Sequence, residues 1–142
     1  MSLPNKGKIL ALDLGKHNTG VAISDENQQV AFIRDEIVTN DEKSLLKTIL
    51  KIIEEDNIVG LIIGIPKNLK GEDTLQTDFS KRILLSLLST KIPCITVDER
   101  LTTKNVYNRI KTTKQITDSE VAQLLLDSYL SSNTDTPGSS SP

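Results

Sequence analysis

The sequence is poor in the residues that most often announce a mechanism. It holds one cysteine, one histidine, no tryptophan, two phenylalanines and two tyrosines. A lone cysteine, Cys94, excludes an internal disulfide framework and a thiolate zinc site, and its flanks "IPCITV" read as a buried strand. This usage fits a reducing, cytoplasmic compartment. So few aromatic rings exclude extended base stacking, leaving backbone and shape as the expected route to any nucleic-acid contact. Nor is there an excess of positive charge: 17 basic against 19 acidic residues give a net charge of −2, so any basic surface must be a local patch. No apolar run approaches the ~20 residues of a membrane span, and the opening "MSLPNKGK" has no apolar signal core. A soluble protein with no membrane partner is expected.

What is present is a regular alternation of short apolar runs and amphipathic segments within 142 residues, a length that suits one domain. "KILALD", "GVAISD" and "QVAFIRDEIV" are rich in β-branched or aromatic residues and are joined by Gly or Asp-Glu-Asn turns, the pattern of an antiparallel meander. From Asn40 the period changes: "NDEKSLLKTILKIIEEDN" places Leu45, Ile49, Ile52 and Ile53 at helical spacing behind a polar start that can cap. "IVGLIIGIP" is nearly continuous in apolar residues, as in a strand covered on both faces. "NLKGEDTLQT" reads as a loop, a second helix is predicted over roughly 74–89, and "IPCITVDERL" is a further buried strand that ends in charges. Two helices, "TTKNVYNRIK" and "DSEVAQLLLDSYL", complete the domain, expected over residues 1–131. Residues 132–142, "SNTDTPGSSSP", have the composition of a disordered tail. The order implies an α/β domain built on a mixed five-stranded sheet, in which ligands gather at the carboxyl ends of strands.

Acidic residues at such ends therefore carry the functional reading. Strand alternation puts Asp13 on the face of Ile9 and Ala11, at the end of the first strand, where a charge between Leu12 and Leu14 is costly without a partner. In "ITVDERL", Glu99 shares a face with Ile95 and Val97, while Asp98 and Arg100 share the other; either carboxylate can border a site. On the last helix Asp118 opens the stripe formed by Val121, Ala122, Leu125, Ser128 and Tyr129, while Glu120 and Asp127 turn toward water. Thr117 and Glu120 can form a capping box, which frees Asp118 from capping. Inward-facing carboxylates from separate elements repel one another unless a cation lies between them, and hard Mg²⁺ or Mn²⁺ ions take oxygen ligands. One or two such ions can activate water and stabilise a leaving oxygen in phosphodiester hydrolysis.

Four blocks, "LALDLGKHNTGVAISD", "GLIIGIPKNLKGEDTLQTDF", "VDERLTT" and "DSEVAQLLLDSYL", resemble in order the YqgF family, also called Holliday junction resolvase-like proteins or pre-16S rRNA nucleases. The resemblance implies a ribonuclease H-like fold and a metal-dependent nuclease acting on ribosomal RNA precursors. By motif matching the family's acidic site falls on Asp13, Glu99 and Asp118, as catalytic and metal-holding residues. The first turn reads "GKHNTG" where relatives typically carry basic residues between the glycines, and the segment before Asp118 is short.

Other residues keep two readings. Gly15 and Gly20 serve turn geometry or let backbone approach a phosphate. His17 is a loop residue or a general base. Asp25 and Asp98 suit turn hydrogen bonding, and Thr102 or Thr103 suits a cap. Lys16, Lys67, Arg100, Lys104, Arg109 and Lys111 are the nucleic-acid-binding candidates, giving sequence-independent affinity for structured RNA or branched DNA. The expected assembly is a monomer or weak homodimer. Rival functions are a four-way DNA junction resolvase, a noncatalytic RNA-binding assembly or transcription factor, and a phosphate-binding ATPase of the actin and sugar-kinase type, a fold that normally needs two such domains.

Overall fold

The computed structural model describes residues 3–15, 17–65, 75–98 and 118–140; for residues 65, 75–78, 80, 98, 118 and 132–140 only the backbone is considered. Five strands, β1 (Lys8–Asp13), β2 (Asn18–Ser24), β3 (Ala31–Val38), β4 (Ile58–Ile65) and β5 (Cys94–Asp98), form one sheet in the order β3-β2-β1-β4-β5. The β1, β2 and β3 pairings are antiparallel, whereas β4 runs parallel to both β1 and β5. This is the mixed five-stranded sheet expected from the hydrophobic pattern.

Helices α1 (Glu42–Glu55), α2 (Leu75–Leu88) and α3 (Asp118–Ser140) complete the described elements. Asp41 caps α1, its carboxylate accepting the Ser44 N–H at 3.1 Å, and Asn57 at φ 54° lies just beyond the helix's end. Leu45, Ile49 and Ile53 turn inward as their spacing predicts. The expected helix over 102–111 and residues 68–74 of the expected loop lie outside the described residues, while the last three residues of that loop, 75–77, fall in α2.

Alternation along the strands divides the core in two. Leu10, Leu12, Val21, Ile23, Leu61, Ile63 and Cys94 pack with α1 and α2. Ile9, Ala11, Ala22 and Ile62 point the other way, against Ala122, Leu126 and Leu130 of α3, with Ile95 and Val97 beside them. The buried arc of α3 comprises Ser119, Val121, Ala122, Leu125, Leu126 and Leu130, while Ser128, Tyr129 and Glu120 are half-buried and Asp127 is exposed. The stripe is therefore wider than the one predicted, and it is turned toward Leu126 and Leu130. A helix laid across a broad sheet buries more than one narrow seam. Leu130 is the last buried residue among those whose side chains are described.

Candidate nuclease site

Register assembles the site. Asp13 pairs with Gly20 of β2 on one side and with Gly64 of β4 on the other, and Gly64 pairs in turn with Val97 of β5. Paired residues share a face, and this row continues the face of Ala11, Ala22 and Ile62, which is the face α3 covers. Asp13 is only 9% exposed. It is a nearly buried carboxylate at the carboxyl ends of parallel strands, and both its neighbours in the row are glycines. No Cβ stands on either side of it.

An oxygen donor with no side chain beside it in its row fits a hard cation, since no neighbouring strand residue competes for the carboxylate. Gly64 is the member of this row that the sequence reading passed over. Its signal was a glycine interrupting the apolar run "GLIIGIP", where a strand gains nothing from one. Among the described residues no group of three His, Cys, Asp or Glu side chains comes together, and Glu99 and the Asp118 side chain lie outside those residues. The chain reaches Glu99 one residue beyond Asp98, the end of β5, which pairs with Ile65. Asp118 is the first residue of α3. Lys16, Lys67, Arg100, Lys104, Arg109, Lys111, Thr102, Thr103 and Thr117 lie outside the described residues as well.

The turn between β1 and β2 is built around backbone contact. A Cβ on Gly15 would stand 2.2 Å from the Asn18 carbonyl oxygen, so only glycine fits. His17 is exposed; its Nδ1 bonds the Asn40 side-chain oxygen, while its own carbonyl accepts the Thr39 N–H at 2.8 Å. The turn is thereby tied to the segment between β3 and α1. Asp25 takes the turn role expected of it, its carboxylate accepting N–H groups of Asn27, Gln29 and Val30 at 3.3, 2.7 and 2.9 Å. These bonds, the one from Val30 foremost, hold the Asp25 carboxyl below its ordinary pKa, against a smaller desolvation effect.

Helix α3 begins on the outer strands. Ser119, 3% exposed, accepts the Val21 N–H at 3.1 Å and donates to the Arg34 carbonyl at 2.8 Å. The Ser119 N–H donates to the Glu36 carboxylate at 3.4 Å, and one turn on, Gln123 donates to the Ala31 carbonyl at 3.0 Å. Val21 follows Gly20, so the start of α3 is level with the row containing Asp13.

A mixed sheet ordered 3-2-1-4-5, an acidic residue ending its central strand and a helix opening over that end define a ribonuclease H-like α/β domain. The family profile described as "RuvX: Holliday junction resolvase" matches residues 7–132, and the chain belongs to that family. Among its relatives, a protein of Maridesulfovibrio salexigens named "Putative pre-16S rRNA nuclease" is 31% identical over 131 residues, 87% of this chain and 97% of the relative. A protein of Desulforudis audaxviator with the same name is 31% identical over 133 residues, covering 88% of this chain and 94% of its own. The fold is similar to that of T. thermophilus RuvC in complex with a Holliday junction substrate, at a TM-score of 0.68 with 8% identity over 92% of this chain and 97% of the other. It is also similar to the yeast mitochondrial Holliday junction resolvase Ydc2, at a TM-score of 0.56 with 10% identity over 91% and 80% of the two chains. Among the described residues no helix is long and apolar enough to cross a membrane.

Proposed function

We propose that this chain is a metal-dependent nuclease that hydrolyses phosphodiester bonds in structured RNA, with precursor 16S ribosomal RNA as its substrate. The observation that carries the reading is the glycine-flanked, nearly buried Asp13 at the carboxyl ends of β1 and β4. Family membership and the relatives' names support the substrate class.

In this reading Asp13, Glu99 and Asp118 hold one or two Mg²⁺ or Mn²⁺ ions. When bound, such ions supply Lewis-acid activation of water and neutralise charge on the leaving oxygen. The chain's own residues do the rest. Asp13 presents a carboxylate that its burial holds in a fixed place, and Gly20 and Gly64 put no side chain beside it. Lys16, Lys67, Arg100, Lys104, Arg109 and Lys111 contact phosphates and set the register of the strand to be cut. Affinity for RNA then falls steeply with salt. The working compartment is the cytoplasm, and the protein acts as a monomer or weak homodimer.

The family's description favours one second reading, cleavage of four-way DNA junctions. The test is a titration of Mn²⁺ and Mg²⁺ into purified protein and its Asp118→Asn variant, with cleavage of a precursor-like RNA and of a four-way junction followed side by side. Saturable metal binding with RNA cleavage, both lost in the variant, supports the nuclease reading. Junction cleavage without RNA cleavage moves the substrate to DNA. RNA binding with no metal-dependent cleavage of either substrate overturns it in favour of an assembly factor.

A further inference from the structure

The pairing of β2 with β3 breaks between Thr19 and Val21. Thr19 is aligned with Ile37, but Val21 is aligned with Arg34, so three residue steps on β3 answer two on β2. The extra residue is a β-bulge, which separates backbone groups that would otherwise form a regular rung. At that point the Ser119 hydroxyl accepts from the Val21 N–H and donates to the Arg34 carbonyl, bridging the two strands with one buried oxygen. Both of its bonds go to backbone, so neither partner can be lost by a change of side chain elsewhere.

We propose that Ser119 is a positioning residue for the carboxylate site: by locking the first turn of α3 into the β2–β3 bulge, it fixes where the helix that begins at Asp118 starts on the sheet, level with Asp13. This rests on the nuclease reading above. Gly20, Asp13's partner, sits at the bulge itself, between Thr19 and Val21, and Ser119 adjoins Asp118 in the chain. A helix that depends on this hydroxyl for its starting point cannot slide along the sheet without breaking both bonds. Glu36 reinforces the lock, its carboxylate accepting the Ser119 N–H where a helix start presents unpaired donors and positive partial charge. The apolar contacts of Ala122, Leu126 and Leu130 hold α3 on the sheet but tolerate small shifts, whereas a serine bridging an N–H and a carbonyl accepts one register only.

Gln123 supplies the comparison. Its side chain also bonds a β3 carbonyl, that of Ala31, one turn farther from the site. Ser119→Ala, Ser119→Thr and Gln123→Ala are to be compared with the wild type for thermal midpoint, Mn²⁺ dissociation constant by calorimetry, and metal-free amide exchange by NMR. Ser119→Ala is expected to raise the Mn²⁺ dissociation constant about tenfold or more, the usual effect of removing a group that orients a metal ligand. It should also speed exchange at Val21 and through the first turn of α3. Ser119→Thr, which keeps the hydroxyl, should restore both toward wild type. Gln123→Ala should lower the thermal midpoint to a similar degree while leaving the dissociation constant unchanged.

Equal Mn²⁺ affinity in Ser119→Ala and wild type would overturn the proposal, as would an equal loss in Gln123→Ala. A wild type that takes up no Mn²⁺ sinks the nuclease reading instead. Exchange then decides the lock by itself: faster first-turn exchange in Ser119→Ala but not in Gln123→Ala sustains it, and no difference overturns it.

Discussion

Asp13 and Gly64 stand side by side at the ends of two parallel strands, and on Asp13's other side the partner is again a glycine, Gly20. No side chain flanks the carboxylate along its row, and adding one there separates a binding role from a folding role. Gly64→Val introduces a good strand former on the α3 face, so circular dichroism should report an intact sheet. Mn²⁺ affinity and RNA cleavage should each fall about tenfold or more, because the branched side chain takes the space beside the carboxylate. A valine variant with wild-type affinity would show that the glycine serves only the packing of the sheet.

Asp13→Asn keeps the shape of the side chain, turns one of its acceptor oxygens into a donor and removes its charge. Metal-dependent cleavage should drop by at least about a hundredfold, in line with the several kcal/mol that a cation contributes to such a transition state. Adding saturating Mn²⁺ should raise the wild-type midpoint and leave the variant's unchanged, which a melting series with and without the ion would read directly.

The position of Asp13 was legible in the sequence because strand alternation is local: Ile9, Ala11 and Asp13 must share a face whatever the rest of the chain does. The passage from strands to helix along the chain followed from the change of period at Asn40, where alternation gives way to the spacing of Leu45, Ile49 and Ile53. Gly64 was hidden for the opposite reason. In a strand buried on both faces every position is apolar, so periodicity cannot say which face a glycine opens. Ser119 carried no signal at all, since its partners are backbone groups of Val21 and Arg34, far away in sequence, and only a break in register creates the need for it. The stripe of α3 was read too narrowly because helical spacing gives a centre for the buried arc, whereas its width is set by the sheet beneath.

Gly15→Ala tests the turn that carries the chain away from Asp13. The added Cβ would meet the Asn18 carbonyl oxygen at 2.2 Å, and backbone at that distance has to move. A cost of about 1–3 kcal/mol in unfolding free energy is expected, as for other forced overpacking. Cleavage should fall further than the loss of folded protein accounts for, because the displaced turn begins two residues after Asp13. Denaturant unfolding and cleavage measured on the same preparation would separate the two effects; a stable alanine variant would mean that the turn rearranges freely.

Asp25 provides a pH test remote from the site. Its carboxylate accepts three backbone N–H groups, which hold its folded pKa below the ordinary value of 3.8. The unfolded chain therefore binds the proton more readily, and the stabilisation is fully present above that ordinary value and is lost as pH falls through the lower folded pKa. Asp41 and Glu42 shift in the same direction, Asp41 chiefly through the Ser44 hydroxyl and Glu42 chiefly through Arg82, so wild-type stability alone would mix the three. The difference between wild type and Asp25→Asn isolates one of them. An asparagine oxygen still accepts the Gln29 and Val30 N–H groups but carries no charge to titrate, so the wild type's advantage should be constant from about pH 7 to pH 5 and shrink from about pH 4 downward. Denaturant unfolding across that range would measure it. A difference that stays flat to about pH 2 would mean that the turn holds the carboxylate no better than water does.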